Sequence, residues 1–523
     1  MISLSYLIIS FSCVCLQARG SRILVFSPMP WRSHNFIYYN MIKALAAKGH
    51  EIDFLTAVPL KNPPSNVRNL YIQDRLEEML RNDQKSESVT TAGEIGLELH
   101  FSTMVLKYVE SVFENEPEVK KLMSTNDTYD MVMSEFSLWQ QANAIWLHRF
   151  NAIGVDVQAL PTAFGLELAG LPVNPSFMAN FGNRFSDRMT LVERLQNTFN
   201  IAAITAINYL TILGNERIVS KHVDYPGCED RPPLSTLSSK HMALVLVNSH
   251  PAAGFPYPKA PHVKEIGGMT VDDKYARLPA ELQTFLDEAV DGAVYFSLGS
   301  NVDLDRLLKD DQRDWFLSIF KNLKQRVLLK WQGNNMPEID HPRVKISKWF
   351  PQQGILAHPN TKLFISHGGL QSTLEAVNYA VPMVGLPIFA DQPRNILSIT
   401  IAGCGVSIDI GNFTQHSLTW AIEEVLNNKS YKEAMIRRSA MFRDKITDPT
   451  TEAVYWIEYV LKHGNVLQPT SARMSFIQLY LLDVLFVLIL SFSVLFFVLR
   501  YSLKKLVGLV VARNGQRKYT KVD

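Results

Sequence analysis

Short apolar runs alternate with stretches of helical spacing in two separate parts of this chain. That alternation restricts the fold more than any other feature. Arg22-Ile23-Leu24-Val25-Phe26 is one such run, bounded by Ser27-Pro28. Helical spacing follows over residues 36–48, with Gly49 placed to end the helix. Residues 52–55 alternate like a strand, residues 129–133 read as a buried strand, and a helix is expected near residues 138–150. After a Pro-rich stretch at 251–258 the pattern restarts at residues 293–298 and continues at 326–330, 344–347, 363–366 and 381–386. Strands alternating with helices imply βαβ units on a mainly parallel sheet, so the expected fold class is α/β with two such halves. Residues 161–230, between them, are helix-rich and aromatic and carry no motif.

Composition narrows the function. Lys and Arg number 52 against 50 Asp and Glu, a formal charge of +2, so no basic excess points to a nucleic-acid partner. Hydrophobic residues make up 47%, ample for packed cores. The four cysteines, Cys13, Cys15, Cys228 and Cys404, are too few for a disulfide scaffold or a Cys-based zinc site. Whether Cys228 and Cys404 pair is left open.

The two ends suggest a membrane-anchored protein. Residues 2–14 are apolar or small, and Ala18-Arg19-Gly20 suits cleavage before Ser21, so 1–20 is expected to be a signal peptide. Residues 476–499 form an apolar run of 24 residues, enough at ~1.5 Å per residue to cross a ~30 Å hydrocarbon layer. A basic tail follows over residues 500–523. The positive-inside rule then places the tail in the cytosol and the body in the lumen, a single-pass type I arrangement for which the endoplasmic reticulum membrane is the expected location. Asp483, inside the run, is costly at bilayer depth. Asn126, Asn412 and Asn428 begin sequons that suit a lumenal body.

In open α/β sheets ligands bind beyond the carboxyl ends of the strands, so post-strand residues are the first candidates for a site. After residues 363–366 comes His367-Gly368-Gly369-Leu370-Gln371-Ser372, then Glu375. Two glycines and a helix start make an anion nest. Trp349-Phe350-Pro351-Gln352 supplies a flat ring and an amide, Gly299-Ser300-Asn301 follows another strand, and Asp391-Gln392 ends a third. A ring for a base, a nest for phosphates, Glu375 for ribose and Asp391 with Gln392 for a sugar make a nucleotide-sugar set.

From Trp349 to Gln392 the chain reads WFPQQGILAHPNTKLFISHGGLQSTLEAVNYAVPMVGLPIFADQ. This stretch resembles the signature of the UDP-glycosyltransferases, in their membrane-anchored animal branch, and the likeness extends over nearly the whole chain. It implies a GT-B fold of two facing Rossmann-like domains: an acceptor domain over residues 21–250, a linker over 251–260 and a donor domain over 261–470. It implies that Trp349 stacks on uracil and Gln352 contacts the uridine end. His367, Gly369, Gln371, Ser372 and Ser300 would serve the diphosphate, Glu375 the ribose, and Asp391 and Gln392 the sugar hydroxyls. Lys330 falls where vertebrate relatives tend to have Arg, for diphosphate or nucleoside contact. Phe350, Leu370 and Leu374 are expected to pack.

The resemblance further implies that His34, after the first strand, takes a proton from the acceptor hydroxyl, oriented by a carboxylate. The family's usual residue is Asp, and this chain has Glu135 at the matching place; Asp130, at the strand's start, suits a structural role. The implied reaction is one inverting displacement with UDP-sugar as co-substrate and no obligatory metal or cofactor. The expected acceptor is a small lipophilic hydroxyl compound, as in detoxification, and the expected sugar a hexose, with glucose favoured over glucuronate. A sterol or protein acceptor and a homo-oligomer stay open, as does a catalytically silent binding protein on the same fold.

Overall fold

The computed structural model describes residues 20–75, 93–271, 277–300, 302–308 and 310–519. The expected signal peptide, apart from Gly20, lies outside the described residues, as do Asn301 and Lys521. The chain divides into two compact units, residues 1–469 and 470–523.

Among the described residues, the larger unit holds two wholly parallel sheets. The first contains β1 (Arg22–Ser27), β2 (Glu51–Thr56), β3 (Val67–Tyr71), β4 (Met131–Ser134), β5 (Ile153–Gln158), β6 (Met242–Val247) and β7 (Val263–Glu265), in the order β3-β2-β1-β4-β5-β6-β7. The second contains β8 (Ala293–Ser297), β9 (Arg326–Lys330), β10 (Val344–Ser347), β11 (Thr361–Ser366), β12 (Met383–Gly385) and β13 (Gly405–Ser407), in the order β10-β9-β8-β11-β12-β13. Successive residues of β1 bury on opposite faces. Ile23 and Val25 join one core layer, and Leu24 and Phe26 join another with Phe113 and Trp146. A sheet covered by helices on both faces requires this, because neither face can be left to water.

Helix α1 (Arg32–Ala47) turns Ile37, Tyr38, Met41, Ile42 and Leu45 into the core, the spacing of a helix that buries one stripe. It starts four residues before the expected position. Pro30 and Trp31 break the chain, and the Trp31 carbonyl accepts from the amides of His34 and Asn35, both at 3.1 Å. The buried Asn35 side chain donates back to Met29 O (2.8 Å) and Trp31 O (3.0 Å) and fixes the turn. His34 therefore sits in the first helical turn rather than in a loop. Gly49 follows the helix at φ +92°.

Two expected boundaries need correction. β7 pairs with β6, so the first domain reaches Glu265 instead of ending at 250, and the stretch 251–260 lies within it. Helix α7 (Pro449–His463), placed by the sequence in the second domain, lays Ala453, Val454, Ile457 and Val460 into the first domain's core beside α1. Its apolar stripe matches that surface, and Glu458 reaches Lys48 and His50 (3.5 Å).

The smaller unit holds α8 (Leu482–Tyr519), whose residues 482–513 are long and apolar enough to cross a membrane. The apolar run expected from 476 is broken. A short helix, Phe476–Leu479, ends before Leu481 at φ +55°. Asp483 thus lies in the first turn of α8 instead of two turns inside it, where free amides favour a negative charge. Cys228 and Cys404 are both free thiols, and Cys404 is buried.

Candidate active site

A cavity of ≈ 610 Å³ lies at the carboxyl ends of both sheets. His34, Ser300, Lys330, Trp349, Gln352, His367, Gly369, Gln371, Ser372, Glu375, Asp391 and Gln392 all line it.

Its first wall is built where β1, β4 and β5 end together. His34 Nδ1 lies 2.8 Å from Glu135 Oε2. Glu135 is buried, and its remaining contacts are with backbone and amide donors: Ala159 N at 3.0 Å to Oε1 and Gln140 Nε2 at 3.3 Å to Oε2. One carboxylate is thus gripped from the ends of two strands, and Nε2 is the imidazole nitrogen left for a ligand. Asp156, on β5, accepts from Phe136 N at 2.9 Å, and burial pushes its carboxyl up to about 7. Asp130, the alternative to Glu135, instead accepts from Arg22 N at 2.8 Å, at the amino end of β1.

The second wall is a polar network. Helix α4 (Gln352–Ala357) begins at Gln352, whose Nε2 donates to Ser372 Oγ (3.1 Å) and Glu375 Oε2 (2.6 Å). Helix α5 (Leu370–Asn378) carries Gln371 and Glu375 one turn apart, and Gln371 Nε2 donates to Glu375 Oε1 at 2.9 Å. Gln353 adds a third amide at 3.3 Å. Burial pushes the Glu375 carboxyl up, against the pull of these amides. Helix α5 opens at Gly368-Gly369. Gly368 has φ +83°, and a Cβ on Gly369 would fall 2.7 Å from His367 Nε2. His367 is pushed down to about 4 by burial and by Lys330, so near pH 7 it meets a ligand as a neutral ring.

Lys330 ends β9 and donates to Gly299 O at 2.9 Å, with its ammonium 4.7 Å above the Trp349 ring. Burial, then Arg32, push Lys330 down to about 8. Asp391 precedes α6 (Gln392–Ile401). Its Oδ2 accepts from Leu370 N (3.2 Å) and Asn395 Nδ2 (2.6 Å), and burial pushes its carboxyl up. Gln392 Oε1 accepts from Ile388 N and Phe389 N, which leaves its NH₂ group as the donor for a ligand. Phe350 and Leu374 are buried in the second core.

Several lining residues escaped the sequence reading. Arg32 stands at the cavity mouth, and Thr270 Oγ1 donates to Gln371 Oε1 at 2.6 Å. An apolar end is formed by Phe101, Leu138, Trp139, Phe181 and Phe389, with Phe101 stacked on Trp139 at 9° and 6.2 Å. Trp139 sits at φ +58°, and its indole N–H donates to Glu98 at 2.9 Å. Arg32 adjoins His34 in sequence and was within reach of a local reading; the aromatic wall comes from segments with no post-strand signature. Of the sequons, Asn126, Asn412 and Asn428 are all exposed, and Asn428 also caps a helix, with its Nδ2 donating to Glu424 at 3.0 Å.

Two parallel α/β domains facing one cavity, with a histidine–carboxylate pair on one wall and a nucleotide-sugar set on the other, define a GT-B glycosyltransferase. Residues 27–516 match the UDP-glucoronosyl and UDP-glucosyl transferase family, and the chain belongs to it. It is an enzyme of sugar transfer from a UDP-sugar to an acceptor. UDP-glucosyltransferase 2 of Dactylopius coccus is 32% identical over 506 residues, covering 95% of each chain. The 2-hydroxyacylsphingosine 1-beta-galactosyltransferase of Rattus norvegicus is 26% identical, over 95% of this chain and 91% of its own. Among solved structures, a UDP-glucosyltransferase from Polygonum tinctorium superposes with TM-score 0.57 at 15% identity, over 85% of this chain and 99% of that one. Os79 from O. sativa gives 0.55 at 17%, over 84% and 100%.

Proposed function

We propose that the chain moves a hexose, glucose in our reading, from UDP-sugar to the hydroxyl of a small lipophilic acceptor, with inversion, as in detoxification. The observation that carries this is the His34–Glu135 pair, at 2.8 Å, on the cavity wall opposite the donor set. His34 Nε2 accepts the acceptor's hydroxyl proton as that oxygen bonds to the anomeric carbon. The bond from that carbon to the diphosphate oxygen breaks, and UDP leaves with the electron pair. Glu135 holds the ring with Nε2 toward the acceptor and stabilises the imidazolium. The step calls on no metal or cofactor.

On the donor side Trp349 stacks on uracil, and Gln352 meets the uridine end. Glu375 takes the ribose. The nest at Gly369 with Ser300, His367, Gln371, Ser372 and Lys330 takes the diphosphate, and Asp391 with Gln392 takes the sugar. The aromatic end of the cavity favours a lipophilic acceptor. A UDP-glucosyltransferase among the relatives favours glucose. The exposed sequons fit a lumenal body on an endoplasmic reticulum membrane, with the basic tail in the cytosol. A panel of UDP-sugars against one phenolic acceptor tests the reading. Transfer from UDP-glucose well above the others is expected, and a preference for UDP-glucuronate would overturn the sugar assignment.

A further inference from the structure

The turn that presents Glu135 to His34 is clasped from both sides. β4 ends at Ser134, which pairs with Asp156 of β5, so Glu135 and Phe136 lie beyond the ladder. A buried amide just past a strand has lost its ladder partner and needs another. Phe136 is buried, and its amide donates to Asp156 Oδ1 at 2.9 Å. In the opposite direction Ala159 N, just past β5, donates to Glu135 Oε1 at 3.0 Å. The two bonds close a loop: from Glu135 across to Ala159, back along β5 to Asp156, and across again to Phe136, the chain neighbour of Glu135. The far end of the turn is secured independently. Glu98 of α2 (Glu94–Asn115) accepts from the Trp139 indole at 2.9 Å. Asn215 of α3 (Leu191–His222) donates to Trp139 O at 3.1 Å and accepts from Ala142 N at 2.9 Å. Asp156 is the polar group that fixes the start.

Asp156 is 3% exposed, and its bonds run to neutral groups, Phe136 N and Gln158 Nε2, the latter at 2.8 Å. The titratable groups that share its field are Glu135 and Tyr38 of α1, whose buried hydroxyl has no partner. Neither is a cation. Burial, with Glu135 alongside, makes a second anion costly here, and the Asp156 carboxyl is pushed up to about 7. The Gln158 amide suits both protonation states. Its Nε2 meets a carboxylate, and its Oε1, buried and without a partner, would accept from an acid O–H after a half-turn of the amide. Asp156 thus contributes an acceptor at a fixed place rather than a charge. We propose that Asp156 is a positioning residue for transfer: by holding the Phe136 amide it fixes the carboxylate of Glu135, and through it the ring of His34. This rests on the reading of His34 and Glu135 as the catalytic pair.

The test uses the full-length chain in detergent micelles, with the UDP-sugar that the donor panel favours and one phenolic acceptor. Asp156→Ala removes the acceptor atom. Asp156→Asn keeps it, because Oδ1 takes the Phe136 amide while Nδ2 donates to Gln158 Oε1. In Asp156→Ala, kcat should fall ~10–100-fold, with UDP affinity and the acceptor KM within about twofold of wild type. Asp156→Asn should recover most of that loss. In a Glu135→Ala background no carboxylate is left to position, so adding Asp156→Ala should cost less than about twofold more. Wild-type kcat in Asp156→Ala would overturn the proposal, and so would a raised acceptor KM at unchanged kcat, which marks packing of the pocket. Asp156→Asn as slow as Asp156→Ala, with wild-type melting, would assign a charge instead of a clasp. Losses that simply multiply with Glu135→Ala would show that Asp156 does not act through Glu135. Should Asp156→Ala not fold, Asp156→Leu, which fills the space without an acceptor, takes its place; failure of both would make Asp156 a residue of the fold alone and overturn the proposal. Wild-type turnover in Glu135→Ala would instead remove the pair on which the proposal rests.

Discussion

The two walls of the cavity are prepared for their ligands in different ways. On the acceptor wall the His34–Glu135 pair is already assembled, and the carboxylate is held by Ala159 and Gln140. On the donor wall the polar groups satisfy one another: Gln352, Gln353 and Gln371 all donate to Glu375. In the proposed reaction the first arrangement keeps one geometry for proton transfer, and the bonds that hold Glu135 run into the fold. In that reaction the Glu375 cluster exchanges partners with a nucleotide, since its bonds run between side chains, whereas Lys330, Asp391 and Gln392 are each tied to a backbone group. On that proposal the site is rigid where chemistry occurs and exchangeable where the ribose binds.

The largest effect that would sharpen this contrast is His34→Ala. Transfer should fall by ~10²–10⁴-fold with UDP affinity unchanged, since the proposed general base is removed while the hydrogen bonds of the donor wall stay in place. Steady-state rates with calorimetric UDP binding check it, and wild-type transfer to a neutral alcohol would exclude His34 as the base. Next is Glu135→Gln, which keeps size but removes the charge behind the imidazole. Turnover should drop by roughly 10²-fold or more while UDP binding holds, with Glu135→Asp in between. Full activity in Glu135→Gln would erase the distinction between the two walls.

Glu375→Ala addresses the exchangeable wall. UDP and UDP-sugar should both bind about tenfold more weakly or worse, as hydrogen bonds to charged groups contribute ~1.5–3 kcal/mol. Turnover at saturating donor should change much less, and a variant that melts at the wild-type temperature with unaltered UDP affinity would return Glu375 to a packing role. The smallest effect concerns pH. Lys330 is pushed down to about 8, chiefly by burial. A diphosphate favours the protonated amine, so UDP should bind best below about pH 8 and several-fold more weakly as pH rises through it. Lys330→Arg should flatten that profile, because guanidinium does not titrate there. Titrating UDP affinity across this range for both proteins decides it.

Most of the cavity's polar lining was legible because strand-to-loop transitions are local. A strand such as β11 and the residues just after it are contiguous in the chain, so His367 and the α5 start could be placed without the fold. Strands with interior polar residues were harder. β5 carries Asp156 and Gln158, which bond to each other at 2.8 Å, so it does not read as an apolar run. β3 is a polar edge strand whose Arg68 pairs with Asp53 at 2.8 Å. The aromatic end of the cavity was hidden for another reason: Phe101, Trp139 and Phe181 meet only through tertiary packing. The start of α1 was obscured by the Asn35 side chain, which acts as a turn clamp from inside the helix.

The return of α7 to the first domain has a practical consequence for exchanging parts between relatives. Cutting two such enzymes between β7 and β8 and joining one's front half to the other's back half looks like a clean swap of the two domains. It also imports a foreign helix into the front half's interior, where Ala453, Val454, Ile457 and Val460 must mesh with Ile37, Tyr38 and Met41. A hybrid made that way inherits a mismatched core before it inherits any new specificity. One that carries residues 449–463 along with the front half keeps each interior native, so its failures and successes report on recognition rather than on packing.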